Sequence, residues 1–265
     1  MMKKQTILSF IILLLAPIVT TGQSTFQGNL FKKSVEFSVQ ISSAQPLGIS
    51  KNYPTQENDL TPNNSFAFQG SLIRHANLNS KLSLQTGIVG GVSSMRFTIN
   101  SSEQFRSRGR DGFNDYFNEF DFPYAGFNLG VNYILNSSEK NLFSVGISCN
   151  GIFIIDTGFG YGLSSTTTSG VRKKLVSANF EIENDERFLF LILPQVEFAY
   201  HRRLGHHLSF KGAIVGAFSN KNYLNATYTI HGDNLDLDGS FTKKLNHVGI
   251  SAGLIYSLEK RVDTP

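Results

Sequence analysis

Tryptophan is absent from this sequence, and charge, proline and cysteine are scarce. The chain has 23 Phe and 9 Tyr but no Trp, and charged residues make up 17% of its 265 positions. The single cysteine, Cys149, excludes a disulfide framework and a zinc site of paired cysteines. Beyond the N-terminal segment the longest apolar run is 188–194, far shorter than the roughly 20 residues of a spanning helix. The composition therefore argues against a bundle of membrane helices.

The charge balance gives no sign of a nucleic-acid partner. The chain carries 24 basic and 20 acidic residues, a net charge of +4. Lys3 and Lys4 lie in a segment that we expect to be removed, which takes the 24 basic residues to 22 and the charge to +2. A nucleic-acid surface needs basic side chains clustered on one face, whereas these are scattered apart from two adjacent pairs. We therefore expect no nucleic-acid partner.

Residues 1–22 have the pattern of a secretory signal. Two lysines precede 13 mostly apolar residues that end at Val19, and small residues stand before a cut at Gln23. The apolar stretch is too short to span a membrane as a helix, and no cysteine follows it that could carry a lipid anchor. We predict a signal peptide over 1–22 and a mature domain over 23–265, with an uncleaved anchor as the alternative.

After residue 23 the apolar residues recur with a period of two, which indicates strands with two different faces. In the segment 125–135, AGFNLGVNYIL, apolar residues such as Phe127 and Leu129 alternate with Asn128 and other small or polar residues. The segment 248–258, VGISAGLIYSL, repeats this pattern. Six further segments alternate in the same way: 35–42, 66–72, 82–93, 143–153, 188–201 and 208–219.

Long and short connections alternate between these eight strands. The long ones are 43–64, 100–118, 157–186 and 219–246, and the short ones lie at 77–80, 136–140 and 203–205. This alternation is typical of outer-membrane barrels, which have short periplasmic turns and long external loops. We therefore predict an all-β fold, an eight-stranded antiparallel up-and-down transmembrane β-barrel, located in a Gram-negative outer membrane.

Two other architectures remain as alternatives. A soluble β-sandwich also alternates, but its polar face meets water and carries Lys, Glu and Arg freely. Here the polar faces are mostly Gly, Ser, Asn and Gln, which suit the narrow interior of a small barrel. A ten-stranded barrel would need 174–182 as a strand, together with one more.

Three segments give the chain a resemblance to the PorT-like outer-membrane β-barrel proteins. They are FDFPYAGFNLGVNYIL (120–135), RFLFLILPQVEFAYHRRL (187–204), with its proline in mid-strand, and SKLSLQTGIVGG (80–91). The resemblance is one of hairpin pattern over most of the mature chain, and it implies the same barrel fold. Some PorT-like proteins serve a protein-secretion and gliding machinery, but no residue motif carries that role here.

The densest polar cluster is the turn 201–209, HRRLGHHLS. His201, His206 and His207 suggest a metal site, but no carboxylate in the cluster completes a ligand set. His207 and Ser209 have the His-x-Ser spacing of the lipid A deacylases, in which a His activates a Ser nucleophile. The Asn that follows in that family is a Phe here, and the pair falls at the periplasmic rim, away from lipid A. We expect a basic turn.

The segment 234–239, NLDLDG, has polar residues at every second position, including Asp236 and Asp238, like the start of a calcium loop. Position twelve of such a loop would be Leu245 in place of the bidentate Glu, so an exposed hairpin strand fits better. GFGYG (158–162) opens no helix and is no phosphate loop. We expect no metal, no cofactor and no catalytic residue.

These observations predict a non-enzymatic protein that acts in surface interaction or membrane structure. The external loops 100–118 and 157–186 mix Arg, Asp, Asn and aromatic residues, which suits contact with glycans, lipopolysaccharide or a protein partner. Expected partners are outer-membrane lipids and lipopolysaccharide, with a glycan or protein at the loops. Open-pore transport is not expected, because side chains fill an eight-stranded interior. A secretion-machinery component and a lipid A-modifying enzyme are the alternatives.

One ion pair is predicted in the barrel lumen. A three-residue loop centred on Leu204, with Gly205 at positive φ, sets the register between the two strands that flank it. Glu197 and Lys211 are then direct cross-strand neighbours on the inner face, with Cβ atoms about 4.5–5.5 Å apart. The alternative is that each side chain reaches separately to lumenal water or to another partner, such as Glu36.

Overall fold

The computed structural model describes most of the chain from residue 31 onward. The described residues are 31–46, 48–51, 60–99, 116–138, 140–155, 161–166, 174–182, 188–219, 221–231 and 236–258. Within them, no helix is long and apolar enough to cross a membrane. The signal peptide predicted over 1–22 and its boundary lie outside the described residues and stay predictions.

The described residues form strands joined by turns and loops. The strands are β1 (Lys33–Ala44), β2 (Gly48–Lys51), β3 (Leu60–Pro62), β4 (Ser65–Asn77), β5 (Leu82–Ile99), β6 (Tyr116–Ser137), β7 (Asn141–Ile155), β8 (Tyr161–Thr166), β9 (Lys174–Ile182), β10 (Phe188–Arg203), β11 (Leu208–Ala217), β12 (Leu224–His231), β13 (Asp236–Lys243) and β14 (His247–Ser257). Strands β1, β4, β5, β6, β7, β10, β11 and β14 follow one another around a barrel, and β14 pairs with β1 to close it. The predicted eight-stranded antiparallel up-and-down barrel is confirmed.

Short turns join the barrel strands at one end, here called the turn end, and long connections join them at the other, the loop end. The turns lie between Asn77 and Leu82, Ser137 and Asn141, and Arg203 and Leu208. The chain also enters β1 and leaves β14 at the turn end, where the Leu258 N–H donates to the Lys33 carbonyl at 2.8 Å. The predicted alternation of short and long connections is confirmed.

The alternation of apolar and polar residues decides which side of each strand faces the lumen. On β6, Phe127 and Leu129 point outward and are 49% and 55% exposed, whereas Asn128 and Asn132 point inward and are 8% and 1% exposed. Exposed Phe, Leu, Ile and Val side chains cover the wall on the other barrel strands as well. An apolar outer wall around a polar interior is the reverse of a soluble β-sandwich, so that alternative is wrong.

The apolar wall has the height of a bilayer core. Towards the turn end, the rings of Phe143 and Tyr200 lie 5.2 Å apart, and towards the loop end those of Phe153 and Phe190 lie 4.9 Å apart. The ten residue-to-residue steps from Phe143 to Phe153 along β7 rise about 33 Å. A strand tilted by about 40° then covers about 25 Å of height, as in outer-membrane barrels.

The long connections build a second sheet at the loop end, of which the sequence patterns predicted only the hairpin strand at 234–239, whose residues 236–239 belong to β13. Strands β2, β13, β12, β9 and β8 pair in this order and form the outer sheet. Strand β9, which the ten-stranded alternative required in the barrel, belongs to this sheet. The short β3 pairs with the loop end of β5.

An apolar core joins the outer sheet to the barrel. Tyr228 of β12 stacks on Phe241 of β13 with ring centroids 6.4 Å apart, and Phe241 lies 6.4 Å from Phe97 of β5. These three residues belong to the loop-end core, which also contains Leu60, Met95, Phe122, Tyr124, Ile152, Ile154, Leu191, Leu193, Ala217, Tyr223, Leu224, Ala226 and Leu245. Each large apolar side chain buried here contributes about 1.5–3 kcal/mol, which holds the outer sheet on the barrel.

Candidate functional site

A buried charge cluster occupies the lumen near the turn end. The ammonium Nζ of Lys211 on β11 lies 2.8 Å from Glu36 Oε1 on β1 and 2.7 Å from Glu197 Oε1 on β10. The second oxygen of Glu36 lies 3.0 Å from His75 Nε2 on β4. We call these four residues the lumen cluster, and none is more than 9% exposed. A buried charge without a partner is costly. Here one ammonium group forms ion pairs with two carboxylates, which lie on strands that are not neighbours.

Phe31, which precedes β1, plugs the turn end below this cluster. Its fully buried ring lies 5.0 Å from the ring of His75 and 5.3 Å from that of His201. His201 Nε2 in turn lies 2.8 Å from the Ser144 hydroxyl. Phe31 also packs in an apolar cluster with Ile134, Leu142 and Ile255. The plug separates the lumen cluster from solvent at the turn end.

Side-chain amides cross the lumen between the lumen cluster and the loop-end core. Asn128 Nδ2 donates to Asn150 Oδ1 at 2.6 Å, and Asn150 Nδ2 donates to Gln195 Oε1 at 2.9 Å. The hydroxyl of Tyr124 donates to Gln69 Oε1 at 3.2 Å. These bonds join inward-facing polar residues of β4, β6, β7 and β10, as the strand pattern predicts for a filled interior.

Little free volume remains in the lumen. The cavity among the lumen cluster and the amides measures about 30 Å³, and each water needs about 10–15 Å³ of such volume. Polar side chains such as those of Gln40, Gln85 and Ser251 line this cavity. With Phe31 at one end and the loop-end core at the other, the described residues form no open channel.

The predicted contact between Glu197 and Lys211 is present, but its register was wrong. Lys211 pairs with His201 and Glu197 with Val215, so the two are not direct cross-strand neighbours. The predicted and observed pairings differ by an even number of residues along β11. Both side chains therefore stay on the inner face. The long lysine side chain reaches along the lumen to Glu197 and meets Glu36 as well.

The turn between β10 and β11 explains this register. Residues 204–207 separate the strands, and the N–H groups of Leu204 and Gly205 donate to the Leu208 carbonyl at 2.9 and 3.1 Å. Gly205 does not adopt the positive φ that the predicted three-residue loop required. The predicted three-residue turn at 203–205 was therefore wrong, because β10 extends to Arg203 and the connection is 204–207.

The histidines of this turn do not converge on one site. His201 is fully buried, whereas His206 and His207 are exposed, and among the described residues no three His, Cys, Asp or Glu side chains are arranged to hold a metal ion. His207 packs its ring 5.9 Å from that of Tyr256 on the outer wall, while Ser209 is buried on the inner face. A catalytic His-x-Ser pair would thus be split across the barrel wall.

The polar face of the outer sheet is a second candidate site. Thr227 of β12 pairs with Ser240 of β13, and Ser240 pairs with Ser50 of β2. Thr227 and Ser50 are exposed, and Ser240 is half-buried. Asp238, part of the segment weighed as a calcium loop, is exposed in the same sheet, while residues 234 and 235 of that segment lie outside the described residues.

Sequence reasoning missed two residues of the lumen site. The alternation of β4 runs to Leu72 in the sequence, but it breaks at Ile73 and Arg74, which face inward and outward, so the pattern does not reveal the inward His75. Phe31 carries no signal either, because it precedes the first strand and belongs to no periodic segment.

No protein-family model matches the sequence, and no curated protein matches it. The fold is similar to OprG of Pseudomonas aeruginosa, with a TM-score of 0.44 and 11% identity over 87% of this chain and 99% of that one. The outer membrane protein AlkL has a TM-score of 0.37 and 12% identity, over 93% of this chain and 98% of that one. The outer membrane protease OmpT of Escherichia coli has a TM-score of 0.32 and 9% identity, over 85% of this chain and 97% of that one. The likeness concerns the fold alone, and the resemblance to PorT-like proteins stays a prediction.

Proposed function

We propose that this chain is a non-enzymatic outer-membrane protein that holds the outer sheet at the cell surface for an interaction. The observation that carries the proposal is the outer sheet itself, whose apolar face is buried on the loop-end core and whose opposite face presents Thr227, Ser240 and Ser50. Connections that only join strands are short, with a median of about 4–6 residues. Here they form a sheet anchored on the barrel.

The outer wall supports a location in an outer membrane. Its apolar band is about 25 Å high and has aromatic residues towards both edges. In barrels of this kind the short turns face the periplasm, which would put the outer sheet outside the cell. The secretory pattern of residues 1–22 supports export by the same route.

The closed lumen supports an anchoring role over transport. Phe31 and the loop-end core lie at opposite ends of the lumen, and the lumen cluster and the amides fill the space between. The separation of His207 from Ser209 supports a protein without hydrolase activity. The barrel then serves to position the outer sheet.

The chemistry of the exposed face favours a polar ligand. On β2 and on the parts of β12 and β13 whose side chains the structure describes, no large apolar side chain is exposed, so these positions offer an apolar partner little to bind. Hydroxyl and carboxylate groups such as those of Thr227 and Asp238 suit the hydroxyl groups of a glycan. A surface polysaccharide is therefore the ligand class that we propose.

Binding to immobilised bacterial polysaccharides, with the protein in lipid nanodiscs, tests this function. Thr227→Arg places a bulky charge on the polar face and is expected to weaken binding by about tenfold or more, a change of about 1.4 kcal/mol. Leu204→Arg, at the exposed turn end, is the matched control. Binding that both variants retain equally, or ion conduction through a planar bilayer that holds the wild-type protein, would contradict the proposal.

A further inference from the structure

The barrel wall has a gap where β10 extends beyond β11. Strand β11 ends at Ala217, which pairs with Gln195, whereas β10 begins seven positions earlier, at Phe188. On its other side β10 pairs with β7 over this whole stretch, as far as Phe188 with Ile155. Among the described residues, no strand pairs with 188–194 on the β11 side.

Pro194 lies where the pairing ends. Its carbonyl accepts a hydrogen bond from the Phe218 N–H at 3.0 Å. Because alternate residues of a strand turn their backbone groups to the same side, the N–H and C=O groups of Ile192 and Phe190 also face the gap. Within the described part of the chain, neither residue has a backbone hydrogen bond on that side. At membrane depth such groups cost several kcal/mol each when unpaired, which favours an occupant with polar groups of its own.

A groove of about 640 Å³ lies beside this free edge, within the range of about 300–1,000 Å³ that is typical of ligand sites. Phe190, Ile192 and Phe218 line it from the outer wall and are 43%, 57% and 56% exposed. Leu191, only 2% exposed, belongs to the loop-end core and closes the groove inward. The groove therefore opens to the lipid and ends within the protein.

We propose that this groove binds one lipopolysaccharide molecule through an acyl chain of its lipid A. The exposed Lys221 lines the groove and lies four positions beyond the loop end of β11. Its ammonium group is placed for an anionic headgroup of the outer leaflet. The amide, ester and hydroxyl groups at the base of the acyl chains supply partners for the free edge of β10, and the chain fills the apolar groove. The inference rests on the outer-membrane location proposed above.

A strand from another protein fits the gap less well. Phe188, Phe190 and Ile192 all turn backbone groups toward the open side, and this edge is long enough for a strand of about five or six residues, so its length does not separate the two occupants. The open groove and the cation Lys221 among its described lining residues favour an anionic lipid over an added strand.

Photocrosslinking in cells whose outer membrane carries lipopolysaccharide tests the site. p-Benzoylphenylalanine is placed at Ile192 or, as a control, at Phe68, which is 53% exposed on the opposite wall of the barrel. We expect a lipopolysaccharide adduct mainly at Ile192. Lys221→Gln should lower its yield about fivefold, whereas Lys140→Gln at the turn end should leave it unchanged.

Three results would overturn the lipid site. Equal adducts at Ile192 and Phe68 would show a general lipid annulus, a polypeptide adduct at Ile192 would show an added strand, and an unchanged yield in Lys221→Gln would remove the headgroup contact. Fractionation of the same cells tests the location separately, since absence of the protein from the outer membrane would contradict the proposed function instead.

Discussion

At the scale of single residues, Lys211 is the charge on which the lumen depends. It contacts Glu36 at 2.8 Å and Glu197 at 2.7 Å where little water can enter. Lys211→Met would leave two buried carboxylates without this cation, and we expect a loss of about 3–5 kcal/mol in the free energy of unfolding. Urea unfolding of the protein in lipid vesicles measures this loss, with Lys140→Met at the exposed turn end as the control.

A double-mutant cycle separates the two carboxylate contacts. Glu197→Gln alone should cost less than Lys211→Met, because Lys211 keeps Glu36 as a partner. Combining Glu197→Gln with Lys211→Met should cost less than the sum of the single changes, since the double variant has one uncompensated carboxylate fewer. Strictly additive costs would show that Glu197 and Lys211 do not interact.

The outward face of β6 gives a second prediction for single residues. Leu129 is 55% exposed on the apolar wall, and its neighbour Asn128 is 8% exposed in the lumen. Leu129→Arg near the midplane should cost about 2–4 kcal/mol, measured by unfolding in lipid vesicles, whereas Leu129→Ala should cost much less. Wild-type stability of Leu129→Arg together with failure of Asn128→Leu to fold would reverse the two faces.

At the scale of elements, strands β6 and β7 approach closely at glycines, of which Gly126 is the tightest against backbone. A Cβ atom at Gly126 would overlap the carbonyl oxygen of Gly151, whereas one at Gly205 would meet nothing within 4 Å. Gly126→Ala should therefore distort the β6–β7 ladder and cost about 1–3 kcal/mol. Gly205→Ala is the matched control and should be nearly neutral. The temperature at which the folded band disappears in a heat-modifiability gel compares the two, and equal temperatures would contradict the close approach.

The outer sheet has a pH dependence that comes from Lys243 of β13. Its Nζ donates to the Gln45 carbonyl, and burial lowers its pKa to about 8. An unfolded lysine has a pKa of about 10.4, so between about pH 8 and pH 10 the unfolded state binds more protons and stability rises with pH. Below pH 8 both states carry the charge, and the cost of burying it is fully present.

Lys243→Met removes this titration. The free energy of unfolding of the variant, relative to the wild type, should therefore fall as the pH rises from about 7 to about 10, because only the wild type gains stability over this range. Urea unfolding at several pH values measures the difference in unfolding free energy between the variant and the wild type. The other lysines titrate in both proteins, so their contribution cancels in this difference. A difference that stays constant with pH would contradict the buried position of Lys243.

The barrel elements could be predicted from the sequence, whereas of the outer sheet only the hairpin strand at 234–239 could. Each barrel strand has one face toward the lipid and one toward the lumen. The alternation of apolar and polar residues such as Phe127 and Asn128 therefore shows which side of the strand faces which. In β10 both faces become apolar near the loop end, because Leu191 enters the loop-end core while Ile192 faces outward. There the sequence no longer shows which face is which. The wrong register has a related cause. The alternation along a strand determines which face Lys211 lies on, but not which residue of the neighbouring strand lies opposite it.

At the scale of the whole molecule, side chains are sorted in two directions. Across the wall, apolar residues face outward and polar residues face the lumen. Along the barrel axis, from the turn end to the loop end, the lumen contains the Phe31 plug, the lumen cluster, the amides and the loop-end core, in that order. A barrel filled in this way is a rigid support, which is why we assign recognition to the surface that it carries and not to its interior.

This arrangement predicts which positions are accessible on intact cells. In a Cys149→Ser background, Thr227→Cys on the outer sheet and Leu204→Cys at the turn end each offer a single exposed thiol, because both parent side chains are exposed. A membrane-impermeant maleimide should label Thr227→Cys on intact cells and Leu204→Cys only after permeabilisation. A tag at Ser138 should behave like Leu204→Cys, and tags near Gly109 or Thr168, which lie outside the described residues, should be reachable from outside. Labelling of Leu204→Cys on intact cells would invert the orientation, and the outer sheet would then face the periplasm.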